Sequence, residues 1–96
     1  MNILIIEDEK PAAEQLMRLL HKEEPNAFFH GPIASIKASK EWLAKNPSPD
    51  LIFLDIHLSD GPGFEIFNEK TELSSPVIFC TAYDQYALKA FQTQQY

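Results

Sequence analysis

The stretch LIFLDIHLSDG (residues 51–61) sets four apolar residues, Leu51 to Leu54, directly before Asp55. A continuous apolar run has no solvent face, so it reads as a strand covered on both sides, as in parallel sheets. Such a strand has reason to end on a carboxylate if that group projects into a shared pocket. Three other runs have the same character: Ile3 to Ile6, Ala27 to Phe29 and Val77 to Cys80. The first residues of the four runs fall 24, 24 and 26 positions apart.

Helical patterns fill the intervals. Lys10 to Lys22 has Pro11 in its first turn, where the missing N–H costs nothing. Ala13, Leu16, Met17 and Leu20 form one apolar stripe along it. Ser35 is placed to cap a second helix holding Ile36, Trp42 and Leu43 and ending before Pro47. A shorter third helix is expected around Phe64, Ile66 and Phe67, and a fourth from Asp84 through Ala87, Leu88 and Phe91. The order β-α-β-α-β-α-β-α predicts an α/β domain with a doubly wound parallel sheet, right-handed crossovers and helices on both faces. Gly61 and Gly63 read as loop residues that permit positive φ or close passage by the site.

Composition narrows the function classes. The chain has 96 residues, enough for one domain with a modest core. Its formal charge of −6 and lack of a basic cluster disfavour nucleic-acid binding by this segment. They suit an acidic site that takes up a cation. Cys80 is the only cysteine, so no intrachain disulfide forms, and it reads as an inert core thiol. There is neither a signal-peptide pattern nor a run of membrane length, so a soluble, cytoplasmic location is expected.

Three of the four strands end on polar groups: Glu7 and Asp8 after the first, Asp55 on the third and Thr81 after the fourth. Ligands of open parallel sheets bind beyond the carboxyl ends of the strands. With strand order 2-1-3-4, Asp8, Asp55 and Thr81 meet at one rim. Glu7, Asp8 and Asp55 then hold up to three like charges close together, a conflict that a divalent cation removes. All-oxygen ligands in small number, completed by water, indicate Mg²⁺. A metal beside a carboxylate, with a hydroxyl opposite, suits phosphoryl transfer to the carboxylate as an aspartyl phosphate. His21, His30 and His57 lack metal-ligand spacing, and Asp60 reads as a turn residue. The stretch EDEKPAAE puts carboxylates where a nucleotide phosphate would sit, which argues against a dinucleotide fold.

The segments ILIIEDEKPAAEQL, DLIFLDIHLSDGPGFEIF and PVIFCTAYDQYALKAF together resemble the receiver domains of two-component response regulators, most closely the LytTR (LytR/AlgR) branch. The resemblance covers nearly the whole chain and implies a flavodoxin-like fold. It implies that Asp55 is the phosphoacceptor for a sensor histidine kinase. It makes Asp8 a direct Mg²⁺ ligand, Glu7 a ligand through water and the His57 backbone carbonyl the last protein ligand. Thr81 becomes the switch hydroxyl, and Ala82 keeps the phosphoryl approach open. Receivers also carry a lysine at the end of a fifth strand. None of the eight basic residues ends a strand here, and Lys89 falls mid-helix. The fifth strand, the last helix and a LytTR DNA-binding domain are therefore expected to be missing, which makes residues 1–96 a C-terminally truncated receiver. Val77 to Cys80 would then be an edge strand, and pairing with a second copy, as a homodimer or swapped oligomer, is expected. The alternative is a pseudo-receiver or interaction module in which phosphorylation is weak or absent. An aspartyl-nucleophile phosphatase is disfavoured, because His57 stands where such enzymes carry a second aspartate.

Overall fold

The computed structural model describes residues 1–67 and 75–80. Strand β1 (Asn2–Ile6) leads to α1 (Lys10–Glu23), β2 (Phe28–Ile33), α2 (Ile36–Lys45) and β3 (Leu51–Asp55). Two short strands, β4 (His57–Leu58) and β5 (Gly61–Pro62), precede a 3₁₀ turn at Gly63–Ile66, and β6 (Val77–Cys80) is the last described element. The main sheet has the order β2-β1-β3-β6 and is parallel throughout. This is the expected 2-1-3-4 order, since β6 is the fourth apolar run.

The runs of β1 and β3 are sheathed on both faces because alternate side chains serve alternate layers. The outer runs, expected to be covered likewise, each leave a phenylalanine exposed, Phe28 on β2 and Phe79 on β6. Ile3, Ile5, Leu51, Phe53, Ile78 and Cys80 pack with Ala13, Leu16 and Leu20 of α1. Leu4, Ile6, Ile52 and Leu54 pack with Ile36 of α2 and with Leu58 and Ile66. Trp42 and Leu43 lie partly buried against the second layer. The Cys80 side chain is buried in the first layer, as expected of a core residue.

Local signals set the helices. Pro11 lies in the first turn of α1, and His21 and Lys22 lie in its last turn, where positive charge meets the carbonyl end of the helix dipole. Ser35 Oγ accepts the Ala38 N–H at 3.1 Å, the expected cap of α2. The Asn2 N–H donates to Asp50 Oδ2 at 2.7 Å and the Asp50 N–H to the Asn2 carbonyl at 2.8 Å, which locks the starts of β1 and β3 together.

The second strand differs from the expected run. It extends from Phe28 to Ile33, beyond Ala27 to Phe29, and its register against β1 shifts between Leu4 and Ile6. Hydropathy stops at His30 because β2 is an edge strand among the described residues. An edge strand needs no full apolar cover and tolerates Pro32. The third helix is represented by the Gly63–Ile66 turn, with Phe67 at its C-terminal cap. The expected fourth helix, with Asp84, Ala87, Leu88 and Phe91, lies outside the described residues. Among the described residues, no helix is long and apolar enough to cross a membrane.

Candidate phosphoacceptor and cation site

Parallel register brings the carboxylates together. Ile6 pairs with Leu54, so the residues that follow β1 emerge beside Asp55 at the end of β3. Glu7, Asp8 and Asp55 each offer a carboxylate oxygen within 4.8 Å of the others. Glu7 is 4% exposed and Asp55 is 7% exposed, whereas Asp8 faces solvent. Two buried carboxylates therefore sit under a third that opens the group to water. The Glu7 N–H donates to the Ile33 carbonyl at 2.9 Å and holds the chain where it leaves β1.

The donor set fits a small hard cation. Every side-chain donor is a carboxylate oxygen, and none of the three residues supplies nitrogen or sulfur. Gathering three negative charges in a partly desolvated rim costs free energy, which a divalent ion offsets. Water reaches the group at Asp8 and can complete a coordination shell.

The loop after Asp55 is held in place. The Ile56 N–H donates to the Cys80 carbonyl at 3.0 Å, and the Gly63 N–H donates to the Ile56 carbonyl at 2.7 Å. The His57 N–H reaches Asp55 Oδ1 at 3.4 Å, a long contact. His57 itself is exposed, and its backbone pairs with Pro62 in the β4–β5 hairpin. Gly61 adopts φ 144°, a left-handed value that favours glycine, as expected of the turn. Asp55 pairs in register with Cys80. Thr81 and Ala82, the expected switch positions, lie outside the described residues.

One site-loop residue escaped the sequence reading. Asp60 Oδ1 accepts the Ile36 N–H at 2.7 Å and Oδ2 accepts the Lys37 N–H at 3.2 Å. Asp60 thus caps the start of α2 across 24 positions of chain. Ser59 Oγ adds a bond to the Ala34 carbonyl at 3.1 Å. The acid-glycine pair was legible as a turn, but its distant partner left no local signature.

The Ile36 N–H holds the Asp60 carboxyl below its ordinary range, with the Lys37 N–H adding to the effect and desolvation opposing it. A depressed folded-state pKa contributes stability that is complete above the unfolded value, about 3.9 for aspartate, and is lost as pH falls through the folded value. Urea midpoints of the native protein and of Asp60→Asn should therefore differ by a constant amount above about pH 5 and converge below about pH 4. A gap that stays constant down to pH 2 would contradict this assignment.

The comparisons with known proteins agree with this geometry. The family profile described as "Response regulator receiver domain" matches residues 3–95. A sensory transduction protein LytT from Bacillus anthracis is 40% identical over 96% of this chain, and one from Enterococcus faecalis is 42% identical over 96%. The positive alginate biosynthesis regulatory protein of Pseudomonas aeruginosa is 37% identical over 96%. The chain spans 37% to 38% of the length of these curated relatives. Among solved structures, the N-terminal domain of a response regulator/sensory box/GGDEF 3-domain protein from Carboxydothermus hydrogenoformans superposes with a TM-score of 0.68 at 32% identity. That match covers 88% of this chain and 67% of that one. The MaeR response regulator bound to beryllium trifluoride gives 0.68 at 26% identity, covering 100% of this chain and 79% of that one. The chain belongs to the response regulator receiver domain family, on the branch of the LytT and LytR regulators, and is a phosphoacceptor signalling module rather than an enzyme.

Proposed function

We propose that Asp55 accepts a phosphoryl group from a cognate histidine kinase, and that the modified domain switches an output domain of the LytTR DNA-binding type. The observation that carries this reading is the convergence of Glu7, Asp8 and Asp55 within 4.8 Å at the carboxyl ends of β1 and β3. An oxygen of the Asp55 carboxylate forms the new O–P bond. The N–P bond of the donor's phosphohistidine breaks, and its electron pair stays on the imidazole nitrogen, which takes up a proton.

Asp8, Asp55 and the His57 backbone carbonyl would hold Mg²⁺, with Glu7 acting through water. When bound, Mg²⁺ supplies positive charge against the oxygens of the transferring group. Burial of Asp55 at a strand end fixes the attacking oxygen on a rigid edge. Thr81 follows Cys80, the register partner of Asp55, and its hydroxyl would hydrogen-bond a phosphoryl oxygen. Ala82 is small enough to leave the approach clear. The similar MaeR chain takes up beryllium trifluoride, a group of phosphoryl shape, which supports the same capacity here. Pairing of two copies at the β6 edge belongs to the same reading. Phe79 on that strand is half exposed, and no described strand pairs with its outer side.

The test is uptake of phosphate from acetyl phosphate, followed by intact mass. One phosphoryl group per chain, lost when EDTA is present, is the expected result. Labelling indifferent to EDTA would remove the cation from the mechanism. Mg²⁺ binding without labelling would favour a protein-interaction module instead.

A further inference from the structure

We infer that Asp60 is a positioning residue for the cation rim: its carboxylate ties the loop that carries His57 to the N-terminus of α2, and so fixes the His57 carbonyl beside Asp55. The inference rests on the proposed role of that carbonyl as a cation ligand.

The loop is pinned at two ends. At the near end, Ile56 donates to the Cys80 carbonyl at 3.0 Å and accepts from the Gly63 N–H at 2.7 Å. At the far end, Asp60 takes the N–H groups of Ile36 and Lys37, and Ser59 Oγ donates to the Ala34 carbonyl at 3.1 Å. Between the pins, Leu58 is buried with Ile36 and Ile66. His57 is the residue suspended between them, with only its backbone committed to the β4–β5 pairing.

The N-terminus of α2 has several N–H groups to satisfy, and two residues share them. Ser35 already caps α2 locally through the Ala38 N–H. Asp60 satisfies the two preceding N–H groups, and it does so from the loop that follows the phosphoacceptor. Both of its oxygens point at α2, so it acts through the loop it holds and not as a ligand. Outer residues that orient a metal ligand cost about tenfold or more in affinity when removed.

Magnesium affinity by titration calorimetry, with folding followed by circular dichroism, tests this on Asp60→Ala, Asp60→Asn and Ser35→Ala. Asp60→Ala should bind Mg²⁺ about tenfold more weakly while remaining folded. Asp60→Asn keeps an acceptor for the Ile36 N–H and should return to within about threefold of the native protein. Ser35→Ala should lower the melting temperature and leave Mg²⁺ affinity unchanged. Should Asp60→Ala fail to fold, Ser59→Ala loosens the same loop and should weaken Mg²⁺ more than Ser35→Ala does. Native affinity in Asp60→Ala, or in Ser59→Ala where that variant replaces it, overturns the inference. So does an equal loss in Ser35→Ala. A native protein that takes no Mg²⁺ overturns the cation site itself, and this inference with it.

Discussion

Asp55→Asn should take up no phosphoryl group from acetyl phosphate under conditions in which the native protein gains one. The substitution keeps the shape of the side chain and replaces one carboxylate oxygen by an amide nitrogen. It removes the negative charge that makes the group a nucleophile and a cation ligand. Asp55 is buried at the end of the central strand β3, where Leu54 and Phe53 before it are fully enclosed. That frame does not depend on the charge, so the variant should fold. One fewer negative charge beside Glu7 and Asp8 should hold its metal-free melting temperature level with the native value or raise it. Loss of labelling with unchanged or increased stability separates loss of the nucleophile from loss of the fold. Equal labelling of Asp55→Asn would move the phosphoacceptor to another residue, with exposed Asp8 next in line.

The same contrast between strand ends and loops governs what could be read in advance. Ile3 to Ile6 and Leu51 to Leu54 are apolar at every position because both faces are covered, and that property is written locally. Once two such runs lie side by side in parallel, the residues that follow them must emerge together. The meeting of Glu7, Asp8 and Asp55 was therefore legible from the ends of the runs. Partnership across the loops was not. Asp60 holds the Ile36 and Lys37 N–H groups from a position 24 residues away, and a carboxylate beside a glycine looks the same whether it turns the chain or caps a distant helix. The His57–Leu58 and Gly61–Pro62 hairpin is too short to show a period. His30 to Ile33 continue β2 without an apolar signal, because an edge strand is held by backbone pairing more than by burial. Hydropathy reports how many faces are covered, and it is silent on which backbone groups are paired.

Gly63→Ala should be the most damaging single-methyl change near the site. A Cβ at Gly63 would collide with the Asp55 carbonyl oxygen and stand 3.2 Å from both Cγ and Cδ1 of Leu54. The obstacle is the backbone of β3, paired on one side with β1 and on the other with β6, so it cannot yield cheaply. The turn must move instead. That movement strains the Gly63 N–H bond to the Ile56 carbonyl, which holds the loop against Asp55. Overpacking of this kind costs about 1–3 kcal/mol. For a domain of this size each kcal/mol lowers Tm by about 4–8 °C. Labelling should slow as well, because the displaced segment is the one that leads out of the phosphoacceptor. At Gly61 the nearest atom to an added Cβ is Ile36 Cδ1 at 3.1 Å, the end of a side chain that can rotate, and the cost there comes from φ 144°. The two alanine variants should differ in kind. Gly61→Ala should lose stability and label at a near-native rate once folded, whereas Gly63→Ala should lose both. A Gly63→Ala protein with native Tm and native labelling would show that the turn can withdraw from β3 without moving Asp55.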